Sequence, residues 1–173
     1  MMEAMWMKKN EFKLNKVSVR LVADAPVYSE KKITSPEDAI EILGNELREL
    51  DREVIAVINL KQDGTPINCT IASMGALEHA IASPRELLKA SVLSNAAAMI
   101  LMHNHPSGSI TASKEDVMIT KRMYEICNMI GIPLRDHIIV SAGKTGYFSF
   151  QANNLLDAPK TFNITSETKR AGR

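Results

Sequence analysis

Residues 97–104 read AAMILMHN, and no other stretch of the chain constrains its fold as tightly. Side chains alternate between the two faces of a strand. Here the apolar residues fill both sets of positions, so this segment reads as a strand buried on both faces, the kind found in α/β sheets. The apolar run at 96–102, AAAMILM, is far shorter than the roughly 20 residues a membrane-spanning helix requires.

The segments around it alternate in type. KVSVRLVA at 16–23 alternates as a strand does, and APVYSEKK connects it onward. Ser35-Pro36-Glu37-Asp38 is a helix start, with serine as the cap, proline in the first turn and acids at the positive end of the dipole. That helix is expected to run to Leu50. EVIAVINL at 53–60 reads as a strand, QDGT at 62–65 as a hairpin turn and PINCTIAS at 66–73 as the returning strand. Ser83-Pro84 opens a second helix through about Asn95, and Ser113 opens a third that ends near Gly131, with Pro133 beyond. RDHIIVSA at 135–142 and YFSF at 147–150 supply further strands. Helices interleaved with strands predict an α/β domain with a mixed sheet.

A length of 173 residues suits one domain with a real core, and 45% hydrophobic with 24% charged residues is ordinary globular composition. Net charge is +1, which gives no overall signature of nucleic-acid binding. The basic residues Lys8, Lys9, Lys13, Lys16, Lys169, Arg170 and Arg173 cluster near the ends, as solvated tails do. Cys69 and Cys127 are isolated, without a CxxC partner, which fits a reducing compartment. MMEAMWMKKN has no apolar core of signal-peptide length. The expectation is a soluble cytoplasmic protein with no membrane partner. It would have a flexible segment at 1–15, a domain at 16–157 and a disordered polar tail at 158–173.

Chemistry concentrates at 101–117, LMHNHPSGSITASKEDV. His103 and His105 are two apart on a strand, so they project from one face, and Asn104 points to the other. Neutral imidazole is a natural zinc ligand. Asp116, three residues into the next helix after a glycine-containing turn, can be the third ligand. Two imidazoles, one carboxylate and an open position describe a catalytic site rather than a closed structural one. Ser113 and Asp116 equally fit an ordinary capping box. The letters HNH at 103–105 are not the nuclease motif of that name, whose residues are spread over a ββα unit. The H-x-E and P-C-x-x-C signature of zinc deaminases is absent.

The arrangement His103-x-His105, seven residues, Ser113, two residues, Asp116 resembles the JAMM motif of JAB/MPN metalloproteases. The local text SPRELLKASVLSNAAAMILMHNHPSG, followed by DHIIV and YFSF, is similar to the RadC-like branch over roughly residues 35–157. The resemblance implies a three-layer α/β/α, cytidine-deaminase-like fold. It maps His103, His105 and Asp116 onto zinc ligands and Ser113 onto the motif's serine, a donor to the oxyanion. Enzymes with this motif place a glutamate at the start of an upstream strand. Glu53, fifty residues before His103, stands there as the expected general base, with Asp51 and Glu49 as nearby competitors. Asn104 replaces the Ser or Thr usual in isopeptidases, as in RadC-like proteins. The helix-hairpin-helix segment that often precedes the RadC-like domain is not expected here, because the N-terminal part is short.

Other residues receive plainer readings. His137 in RDHIIV is a strand-entry histidine that could approach the site. His79 has no partner in the sequence. Asn95 ends a helix. Glu86 caps the second helix, and nothing accounts for Arg85. Met118, Met123 and Met129 suit helix packing. The expected activity is zinc-dependent hydrolysis of a peptide or isopeptide bond, with a peptide or protein conjugate as substrate. The alternatives are a protein of DNA repair or recombination acting on nucleic acid, as the RadC-like name suggests, and a metal-bound scaffold without catalysis.

Overall fold

The computed structural model describes residues 15–74, 83–143 and 146–157. The elements run α1 (Pro36–Ala39), a π-helical turn (Ile40–Gly44), α2 (Asn45–Arg48), β1 (Val54–Leu60), β2 (Pro66–Met74), α3 (Pro84–Leu93), β3 (Ala98–His105), α4 (Lys114–Ile130), β4 (Leu134–Ser141) and β5 (Tyr147–Ser149). One five-stranded sheet has the order β2-β1-β3-β4-β5. β1 is antiparallel to both β2 and β3, β3 is parallel to β4, and β4 is antiparallel to β5. The sheet is therefore mixed, and α4 is the crossover that the parallel pair requires.

Every residue of β1 and β3 is buried. Alternation assigns them to two cores. Val54, Ala56, Ile58, Ala98, Ile100 and Met102 pack with Ile40, Leu43 and Leu47 of the first helical segment. Ile55, Val57, Met99 and Leu101 pack with Leu87 of α3 and with Ile119, Met123 and Cys127 of α4. Helices thus cover both faces, giving three layers. No helix among the described residues is long and apolar enough to cross a membrane.

Local chemistry explains the element boundaries. Ser35 and Asp38 form a reciprocal capping box, and the Thr34 amide and hydroxyl both donate to Asp38 Oδ2 at 2.9 Å. The helix expected at 36–50 is widened at Ile40–Gly44, where any β-carbon on Gly44 would lie 2.7 Å from Ile40 Cγ2. In the β1–β2 turn, Gly64 has φ +87°, and a β-carbon there would meet the Ile33 carbonyl oxygen at 2.8 Å. Asn95, at φ 48°, turns the chain out of α3, and Gly131, at φ 74°, does so for α4.

The strand expected at 16–23 is not one. This segment has no regular structure, and Val17, Val19 and Val22 are 78%, 69% and 90% exposed. Alternation supplies an apolar face but not a neighbouring row of backbone partners. Among the described residues the segment pairs with neither edge of the sheet.

Candidate metal centre

The odd-numbered residues of β3 face α4, so His103 and His105 point toward that helix from the strand's C-terminal end. His103 is held between Ile55 of β1 and Ile139 of β4 in the sheet register. The chain turns back after His105 through Gly108, whose φ is +79° and whose amide donates to the His105 carbonyl at 3.1 Å. Ser113 then caps α4, and its box partner is Asp116. The cap fixes the rotation of the helix and so aims Asp116 at the histidines.

The three side chains meet. His103 Nε2 lies 2.9 Å from His105 Nε2 and 3.2 Å from Asp116 Oδ1, and His105 Nε2 lies 3.5 Å from Asp116 Oδ2. Exposure is 0% for His103, 7% for His105 and 1% for Asp116, so the cluster is sealed except beside His105. Among the described residues, these three form a group able to hold a metal ion.

The proton positions sharpen this picture. His105 Nδ1 lies 3.1 Å from the Ser109 carbonyl, which can only accept, so the ring proton sits there and Nε2 offers a lone pair. Asp116 remains a carboxylate. Burial opposes its charge, but the neighbouring His103 and His105 rings, and the Ser113 amide and hydroxyl that both donate to Oδ2 at 2.7 Å, hold its carboxyl far below the usual range. For His105, burial disfavours the protonated ring, yet Asp116, and to a smaller degree Glu53, raise its proton affinity on balance. The centre therefore gathers electron pairs of the kind that could hold a cation. Four ligands around an ion at about 2.0–2.1 Å in a tetrahedron stand about 3.3 Å apart. The observed separations of 2.9, 3.2 and 3.5 Å bracket that value.

Glu53 directly precedes β1 and is half-buried, near enough for its charge to act on His105. Its position is fixed by Asn104. From the opposite face of β3, the Asn104 side chain accepts from the Val54 amide at 2.8 Å and donates to the Arg52 carbonyl at 3.0 Å and the Leu50 carbonyl at 3.4 Å. It thus grips the main chain on both sides of Glu53. Asp51 pairs with Arg52 at the surface.

Ser113 Oγ donates to Asp116 Oδ2 at 2.7 Å and accepts from the Asp116 amide at 3.0 Å. Both readings of Ser113-x-x-Asp116 thus describe the same atoms, because the capping box orients the candidate ligand. Asn95 lies before β3, at the end remote from the histidines. Arg85 is exposed in the first turn of α3. His79 falls outside the described residues.

Residues 33–155 match the model of the RadC-like JAB domain. The chain belongs to this RadC-like JAB family. A UPF0758 protein of Caldanaerobacter subterraneus is 41% identical over 125 residues, which cover 69% of this chain and 54% of that protein. A UPF0758 protein of Clostridium acetobutylicum is 41% identical over 129 residues, covering 75% of this chain and 56% of that one. For a UPF0758 protein of Staphylococcus carnosus the figures are 40% over 126 residues, 73% and 55%. The chain thus spans about half the length of the curated relatives it matches.

Two further side chains of the RadC-like domain adjoin the cluster, Thr120 from α4 and His137 from β4. Thr120 Oγ1 is 2.5 Å from His137 Nδ1, and His137 Nε2 is 2.8 Å from His103 Nδ1. Thr120 stands one helical turn beyond Asp116, and that i, i+4 spacing was its one available clue. His137 was legible as a candidate but without a role.

Proposed function

We propose that this RadC-like domain is a zinc-dependent hydrolase of the JAMM type, acting on a peptide or isopeptide bond. The supporting observation is the convergence of His103 Nε2, His105 Nε2 and the Asp116 carboxylate at ligand-like spacing. Two nitrogen donors and one oxygen donor are a set that suits catalytic zinc. Bound zinc would supply Lewis acidity and a water acidified to a pKa of about 7.

The chain's own residues divide the remaining work. Glu53, held by Asn104 beside His105, takes a proton from the attacking water and returns it to the leaving amine. Ser113 gives up its bond to Asp116 and donates to the oxyanion as it forms. His105 lies on the exposed side of the cluster, so substrate enters there. The free cysteines Cys69 and Cys127 suit a reducing compartment such as the cytoplasm.

Metal analysis of the purified protein is expected to find about one zinc per chain, and His105→Ala and Asp116→Asn to lose it. A screen of peptide and isopeptide libraries is expected to find turnover in the wild type and none in Glu53→Gln, with the metal retained in that variant. Zinc bound without hydrolysis of any such substrate would overturn the hydrolase reading. Salt-sensitive binding of DNA in its place would favour the nucleic-acid alternative.

A further inference from the structure

We propose that His137, itself oriented by Thr120, is a positioning residue that presents His103 Nε2 to the cation. This deepens the metal reading above and rests on it. The argument follows single protons. The Thr120 hydroxyl has one proton, and the Asp116 main-chain carbonyl, which can only accept, is 2.5 Å away. The proton is committed there. His137 Nδ1 lies 2.5 Å from the same hydroxyl oxygen and so must donate to it.

A neutral imidazole has only one ring proton. His137 is wholly enclosed, its ring stacked on Phe150 at a 5.0 Å centroid distance and 11° between planes. Enclosure of this kind disfavours the charged ring, so His137 is held in its neutral form. With Nδ1 protonated, His137 Nε2 carries a lone pair. It faces His103 Nδ1 at 2.8 Å, which must be the donor. His103 Nε2 is then left bare, and that is the atom 2.9 Å from His105 Nε2 and 3.2 Å from Asp116 Oδ1.

The relay begins and ends on one residue. The carbonyl of Asp116 sets Thr120, and its carboxylate lies in the cluster that the relay prepares. Histidine ligands are commonly oriented by a carboxylate or a backbone carbonyl on the far ring nitrogen. Here a neutral imidazole takes that place and adds no charge to a buried site. His105 follows the more usual scheme through Ser109.

The test uses the full chain stripped of metal, with zinc alone as the titrant. His137→Phe keeps a ring against Phe150 but offers no acceptor, and its zinc affinity is expected to fall about 10- to 100-fold. His137→Gln places a carbonyl oxygen near the former Nε2 and is expected to recover most of that loss. Thr120→Val frees His137 to change tautomer and should also weaken binding. Nitrogen NMR of the metal-free wild type, recorded well above the histidine titration range, should show His103 protonated on Nδ1. The same spectrum of Thr120→Val should show a mixture.

Three results would overturn the proposal: wild-type zinc affinity in His137→Phe, a Gln variant as weak as the Phe variant, or His103 protonated on Nε2 in the wild type. If His137→Phe does not fold, Thr120→Val and the wild-type spectrum still decide. A wild type that binds no zinc while showing the expected tautomer would remove the metal reading and leave the proton relay standing.

Discussion

Asn104 stands between two candidate ligands and serves the other side of the strand. It is fully buried, where an amide is tolerated only with partners. Those partners are main-chain groups of Leu50, Arg52 and Val54. Asn104→Leu leaves the Val54 amide and two carbonyls without their partner, at an expected cost of about 1–3 kcal/mol for each group left buried. The variant should keep its zinc and lose turnover, because Glu53 loses its anchor and His103 and His105 do not. Denaturant unfolding, metal content and activity measured together check this, and loss of the metal would show Asn104 supporting the ligands instead. The candidate ligands were legible because strand period, turn and cap place them within one short stretch. The roles of Asn104, Thr120 and His137 were not, because their partners lie on other elements and no local pattern encodes them.

At the scale of elements, capping chemistry wrote the helix starts into the sequence. Ser35 and Ser113 both cap with an aspartate three residues on, and both helices begin where that pattern predicts. The Asp38 box also carries a pH dependence. Hydrogen bonds from the Thr34 amide and hydroxyl, then from Lys31, hold its carboxyl well below the ordinary range. A depressed folded-state pKa stabilises above the unfolded carboxylate value of about 3.9 and is lost as pH falls through the folded one. The melting temperature of Asp38→Asn is therefore expected to lie below that of the wild type at neutral pH, with the gap closing in acid. A gap that stayed constant with pH would mean the carboxylate charge contributes nothing. Residues 16–23 mark the limit of such local reading. Their alternation is real, but strand formation depends on a partner that sequence periodicity does not reveal.

At the scale of the molecule, the double-sided apolar character of β3 already demanded cover on both faces, and the three layers meet that demand. Strand order was not legible, since pairing is non-local and β1 and β3 look alike in hydropathy. The layering also determines what metal removal should do. His103 and His105 belong to the sheet and Asp116 to α4, so a bound cation ties two layers across the core that Leu101, Ile119 and Met123 share. A ligand that binds only the folded state stabilises it by about 2.7 kcal/mol at a hundred times its Kd. For a domain of this size that corresponds to roughly 5–10 °C in melting temperature. Adding zinc to the chelator-treated protein should produce a rise of this order by scanning calorimetry. Asp116→Asn should show little rise, because the α4 end of the tie is gone, although its metal-free melting point also reports the weakened cap. Equal shifts in the two proteins would place the cation elsewhere on the molecule.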